Sequence, residues 1–439
     1  MRSTTRRRAL RISISCAVLV AVAAVSAVAY RTREADRLLA EARGRLEAPF
    51  TEAPGVDRLQ ASTAASLIER AREWGASGNE LEGLYHYAQA IEDLQRGDLL
   101  LAEGELGSAL ERLGETTDLH VLAAALSRAR MQNEVALTEV NAALAEDDAH
   151  PRALLLAADL ALDRRDAEAA AGFLARLEDV APDSGPVHNR MGIAHEIEDE
   201  LEDAEAEYRR AAVLDRLGHD AWINLGRLLR VRGDHVEARE AFETAVERAP
   251  SDPDAILGRG LTRAATGDVA LAVEDFRRAA ELAPNDAEPL LALGDLQRDV
   301  GDYAEAVSTY REAIDREDAD AASWLKLGNA LVLTEDYENA VTAFREAIDR
   351  SPELAAAHNG LGASLMHAPD ATLAEGAEAA LEHAFTLDPT DPNPLMNLGL
   401  FYESRGEPSL ARAAWERVLL VWPGSTIATR RLQRLAAHS

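Results

Sequence analysis

The sequence predicts an all-α fold, an α-solenoid of about ten stacked helix-turn-helix units, and three observations carry that reading. Apolar residues recur at i, i+3 and i+7, the spacing of one helical face, with small residues set among them. The pattern returns about every 34 residues over most of the chain. The composition, 47% hydrophobic but only 5% aromatic over 439 residues, suits a core assembled from thin layers better than one large globular core.

The clearest unit runs from Ala221 to Pro250. Trp222, Leu225 and Leu229 mark one face of a first helix, and Ala238, Phe242 and Ala245 mark a similar face on a second. Gly226 and Ala238 are small where the two backbones should come closest, Gly233 and Asp234 supply the turn, and Pro250 stops the second helix. One such hairpin cannot cover its own apolar stripes, so it requires stacked neighbours. The order Trp-x2-Leu-Gly, then Ala-x3-Phe, then Pro resembles the tetratricopeptide repeat, with Leu229 where that pattern has Tyr. The resemblance implies a right-handed superhelix whose first helices line a concave groove that binds peptide segments or partner proteins.

Units are expected to begin near Gly83, Thr117, Pro151, Gly185, His219, Pro253, Ala287, Ala321, Ala355 and Pro392, which places the array at 83–424. Trp324, Leu327, Gly328, Ala340, Phe344 and Pro352 repeat the pattern closely, as do Leu395, Leu398, Gly399, Tyr402, Ala411, Trp415 and Pro423. Departures cluster early, where Ala90 and Ala124 replace the Gly, and Leu106 and Val140 replace the aromatic residue. Pro389 comes three residues late, so an insertion is expected in the turn between Met366 and Glu375. Helices in 56–82 and 425–439 are expected to cap the two ends of the array.

The N-terminal segment has a different character. Arg2, Arg6, Arg7, Arg8 and Arg11 lie in a basic stretch, 1–11, ahead of an uncharged, mostly apolar run, 12–30. At about 1.5 Å per residue this run spans roughly 28 Å as a helix, close to the hydrocarbon thickness of a bilayer. It reads as a transmembrane signal anchor, with the N-terminus cytoplasmic by the positive-inside rule and the body across a bacterial inner membrane. The alternative is cleavage near Ala29, because Ala27-Val28-Ala29 resembles a signal-peptidase site; the product would be a secreted or periplasmic protein of envelope, polysaccharide or secretion machinery. Residues 31–55 read as a charged helical stalk and linker, broken by Pro49, Pro54 and Gly55.

Charge and motifs exclude several functions. The formal net charge is −31, and beyond residue 50 there are 36 basic against 73 acidic side chains, a surface that repels phosphate backbones and argues against nucleic acid as a partner. The single Cys16 cannot form an intrachain disulfide or a cysteine zinc site. There is no Gly-Lys phosphate loop, no HExxH and no Gly-x-Ser-x-Gly elbow, so no enzyme, cofactor, metal or small-molecule substrate is expected. His188 and His195 flank Met191 on one helical face, but both fall at packing positions and read as core residues; His86, His120 and His358 occupy the place of Trp222.

What remains is a binding face. On the first helices, Asn189, Arg190, Asn224, Arg227, Arg230, Asp295, Lys326, Asn329, Asn359 and Asn397 avoid the packing stripe. Arg and Asn at such positions can bond a partner's carboxylates and backbone amides. Arg190, Asn224, Arg227 and Arg230 are expected to form a cationic island that attracts an acidic segment. The carboxylate clamp of chaperone-binding members needs two lysines, and Lys326 is the only lysine here. The expected function is therefore a non-catalytic scaffold, tethered to a membrane, that holds a protein or peptide in its groove.

Overall fold

The computed structural model describes residues 28–46, 54–215, 218–316, 319–367 and 371–437. Most of the expected anchor, 12–27, lies outside these residues. Among the described residues every regular element is a helix, and none is long and apolar enough to cross a membrane.

Helix α1 (residues 28–46) and α2 (Pro54–Glu73) precede ten helix pairs. The pairs are α3 (Asn79–Arg96) with α4 (Leu99–Leu113), α5 (Thr117–Ala129) with α6 (Asn133–Glu146), α7 (Pro151–Asp163) with α8 (Ala167–Val180), and α9 (Gly185–Ile197) with α10 (Leu201–Leu214). There follow α11 (Asp220–Arg232) with α12 (His235–Arg248), α13 (Pro253–Thr266) with α14 (Val269–Leu282), and α15 (Glu288–Val300) with α16 (Tyr303–Arg316). The last are α17 (Ala321–Leu333) with α18 (Tyr337–Arg350), α19 (Ala355–Met366) with α20 (Ala371–Leu387), and α21 (Asn393–Ser404) with α22 (Pro408–Val421), before the final helix α23 (Thr426–Ala437). The chain forms two compact units, one up to Leu228 and one from Leu229, so the boundary falls inside α11. Each unit is an α-solenoid. In the first, α3 touches α5, α5 touches α7 and α7 touches α9; in the second, α13, α15, α17, α19 and α21 touch in the same way.

A backbone signature marks the period. Gly97, Met131, Arg165, Asp199, Gly233, Gly267, Gly301 and Glu335 follow one another at intervals of 34 residues, and all have φ between 57 and 92°. This left-handed residue reverses the chain between the two helices of a pair. Glycine adopts the conformation freely, whereas a Cβ is strained there, so Met131, Arg165, Asp199 and Glu335 hold it at a cost.

Packing sets the small residues of the first helices against the aromatic residues of the second. Tyr208, Phe276, Tyr310, Phe344 and Trp415 are fully buried on second helices. Each ring fills the space that a side chain would take at Gly192, Gly260, Gly294, Gly328 or Gly399 on the partner helix, where an added Cβ would approach the ring to between 2.5 and 2.8 Å. Large aromatic burial opposite glycine is how a chain with few aromatics closes thin layers.

The N-terminal helices are part of this packing. Leu38, Ala42 and Leu46 of α1 are buried with Ala61, Ala64, Ile68 and Ala71 of α2 and Leu81 and Leu84 of α3. The helical part of the segment read as a stalk therefore lies against the first pair, because its few apolar residues fall at helical spacing on one side. Tyr30 meets Trp74 edge-on, with ring centroids 5.9 Å apart. Near the other end, α20 has 17 residues where α18 and α22 have 14, so the three-residue excess is absorbed as helix.

Candidate partner-binding face

In the first unit, the residues singled out on the first helices are joined to one another or to carboxylates. The Asn224 amide donates to the Asn189 carbonyl at 3.0 Å. Arg190 grips Asp159 through Nε and Nη2, and Arg128 reaches the same carboxylate at 3.4 Å while forking onto Asp163. Arg227 donates to Glu196 at 3.1 Å, and Glu196 also receives the hydroxyl of Tyr208 at 2.8 Å. Burial and the neighbouring Glu196 push the Tyr208 hydroxyl well above the ordinary phenol range, so it stays a donor. Arg190 and Arg227 are thus already neutralised, and an acidic segment would have to displace Asp159 or Glu196.

The second unit repeats the scheme. Lys326 pairs with Asp295, which also accepts the Tyr310 hydroxyl at 2.7 Å and lies 3.2 Å from Arg298. Glu403 accepts from Trp415 Nε1 and from Arg431, both at 2.7 Å. Asn397 donates to Asn359 at 2.9 Å, as Asn224 does to Asn189. The side chains of Arg230 and Asn329 make no hydrogen bond or ion pair among the described residues, and Arg230 Nε is buried. The first-helix face is therefore a ladder of polar pairs rather than a row of free cations.

The acceptors Asp159 and Glu196 were not apparent from the helical pattern, which shows what shares a face but not what lies on the next helix. A signal was present nonetheless. Asp159 with Arg190, Glu196 with Arg227 and Asp295 with Lys326 are each 31 residues apart, close to one repeat period.

The histidines divide. His188 is 1% exposed and bonded to Glu207 at 2.6 Å, a core residue. His195 is not a core residue: it is 36% exposed, because its ring turns out to Glu200 at 2.7 Å in the turn after α9. His86 and His120 pair with Glu105 and Glu139 at 2.6 and 2.7 Å, the arrangement that His188 makes with Glu207.

A cavity of about 590 Å³ opens on the first-helix face of the second unit. Leu261 and Ala264 of α13, Phe276 of α14, and Leu291, Ala292 and Leu296 of α15 give it an apolar wall; Glu288, Asp295, Asp299 and Lys326 supply its polar groups. Its volume is that of a site for a small ligand or a few side chains.

With this geometry in place, sequence comparison is decisive for the repeats. A tetratricopeptide-repeat family model matches residues 198–253, 232–287, 291–354 and 325–392. The chain carries tetratricopeptide repeats. Solved structures of low identity are also similar to this chain. The crystal structure of the APC/C hetero-tetramer Cut9-Hcn1 is 18% identical, covers 89% of this chain and 78% of that one, and gives a TM-score of 0.50. YrrB, described as a TPR protein with an unusual peptide-binding site, is 23% identical over 42% of this chain and 95% of its own, with a TM-score of 0.35. PilF of Pseudomonas aeruginosa is 22% identical over 47% of this chain and 93% of its own, with a TM-score of 0.42. No curated protein matches the chain in sequence.

Proposed function

We propose that this tetratricopeptide-repeat chain is a non-catalytic interaction scaffold that takes a protein or peptide segment on its first-helix face while tethered to a membrane through residues 12–30. The cavity of about 590 Å³ against α13, α15 and Lys326 is the observation that carries the binding reading, since it joins an apolar wall to a few placed polar groups. Asn189 with Asn224 and Asn359 with Asn397 support it. Each pair spends one amide proton and one carbonyl lone pair on itself; Asn189 is buried, whereas Asn224, Asn359 and Asn397 are partly exposed and keep groups able to bond an extended backbone. The tether rests on the apolar run 12–30. It would lead directly into α1, whose packed face leaves no loose stalk between bilayer and body.

The binding reading is tested with a photo-crosslinking residue at Ala292 or, as a control, at Arg277 on α14. A discrete adduct with another protein at position 292, absent at 277, is expected; equal labelling would sink the groove reading. The tether is tested by intact mass on carbonate-washed membranes. Retention of residues 1–29 is expected, and a chain beginning after Ala29 in the soluble fraction would replace the tether with cleavage and release.

A further inference from the structure

We infer that the cavity of the second unit takes a segment in which a large apolar side chain stands beside an Arg or Lys. This rests on the proposed scaffold function and adds the chemistry of the partner. The wall formed by Leu261, Phe276, Leu291 and Leu296 rewards burial of an apolar group. The polar lining is three carboxylates and one ammonium, and the ammonium of Lys326 is already committed to Asp295. Among the described residues Glu288 makes no ion pair, and Asp299, 65% exposed, pairs with Arg298 alone.

A carboxylate brought to this opening would meet Glu288 and Asp299 at close range, whereas a guanidinium or ammonium would find Glu288 without an ion pair and would reach Asp299 on the side opposite Oδ1, the oxygen that holds Arg298. The contrast supplies both attraction and rejection, the two halves of specificity. The acidic body adds a long-range term in the same direction, because its field raises the encounter rate of basic partners and lowers that of acidic ones. Of the cations that would have favoured an acidic partner, Arg190, Arg227 and Lys326 already have their own carboxylates, and Arg230, which has none among the described residues, does not line this cavity.

The test is selection of phage-displayed random peptides on the detergent-solubilised full chain. Selected peptides are then measured against the wild type, Ala292→Trp, which fills the cavity, and the exposed double variant Glu288→Lys/Asp299→Lys. Peptides with Leu, Ile, Phe or Trp within two positions of Arg or Lys are expected, weakened about tenfold or more by either variant and by added salt. Peptides lost in Ala292→Trp but acidic, or indifferent to Glu288→Lys/Asp299→Lys, would overturn the basic-partner inference and leave the groove function standing. If no selected peptide responds to either variant, both fall. Circular dichroism reports whether Ala292→Trp folds; if it does not, the charge-reversed pair, confined to exposed side chains, decides alone.

Discussion

The ammonium of Lys326 rests on the carboxylate of Asp295, one first helix away, and the same carboxylate accepts the hydroxyl of Tyr310 at 2.7 Å. The two partners are unequal. Lys326 is about a third exposed, so its pair is screened and contributes about 0–1 kcal/mol. Tyr310 is fully buried, and losing its acceptor leaves a hydroxyl unpaired in the core, at a cost of about 1–3 kcal/mol. Asp295→Ala should therefore lower the urea midpoint clearly more than Lys326→Met. Equal shifts would mean that the Tyr310 hydroxyl finds another acceptor.

A second prediction separates glycines that look alike in sequence. A Cβ at Gly328 would lie 2.6 Å from Phe344, a ring with no room to retreat, whereas nothing lies within 4 Å of one at Gly104 in α4. Gly328→Ala should destabilise by about 1–3 kcal/mol through overpacking. Gly104→Ala should stabilise by about 0.5–1 kcal/mol through helix propensity. Thermal melts of the two variants should move in opposite directions.

The turn residues give a third. Glu335 holds φ 61° in a position that Gly301, one period earlier, fills at φ 92°. Glu335→Gly removes a strain of about 1–2 kcal/mol but admits a more flexible unfolded chain, so the net gain should stay below about 1 kcal/mol. Gly301→Ala is the reverse change: a strain of about 1–2 kcal/mol is partly offset by a stiffer unfolded chain, so it should lose about 1 kcal/mol. Native-state hydrogen exchange in α15 to α18 reads both; a stabilised Gly301→Ala would contradict the left-handed turn.

What the sequence made legible was whatever depends on one helix or one hairpin. Gly328 stands at the close helix crossing where the spacing puts it, although the side chain nearest to it is the ring of Phe344 and not the small Ala340 that the spacing suggested. The polar face was misjudged because the partners of its cations come from the preceding repeat. Arg190 reads as a free cation until Asp159, 31 residues earlier, is seen across the helix boundary. The apolar positions of α1 were visible as Leu38 and Leu46, but their burial depended on α2 and α3, which no local pattern could supply.

The last prediction concerns a substitution pattern within the repeats themselves. His86, His120 and His188 each have a Glu nineteen residues later, and each pair is bonded at 2.6 or 2.7 Å. Where the same first-helix position is Trp222 or Trp324, the residue nineteen later is Ala241 or Ala343, both buried. His358, at the same position in a longer repeat, has Ala377 nineteen residues later and bonds the Pro352 carbonyl at 2.8 Å instead, so the ring still finds an acceptor. An imidazole is too small to fill the layer and needs an acceptor to bond its ring nitrogen, while an indole fills the layer itself and needs a small neighbour. Glu139→Ala should then cost about 1 kcal/mol by removing the acceptor of His120, and His120→Trp about 1–3 kcal/mol by overpacking. The double variant rebuilds the alternative solution, so its loss should fall short of the sum by about 1 kcal/mol or more. Glu207→Ala should cost more than Glu139→Ala, because His188 is 1% exposed and its Nε2 is buried without a partner. Strict additivity of His120→Trp and Glu139→Ala in urea unfolding would reduce the pattern to coincidence of composition.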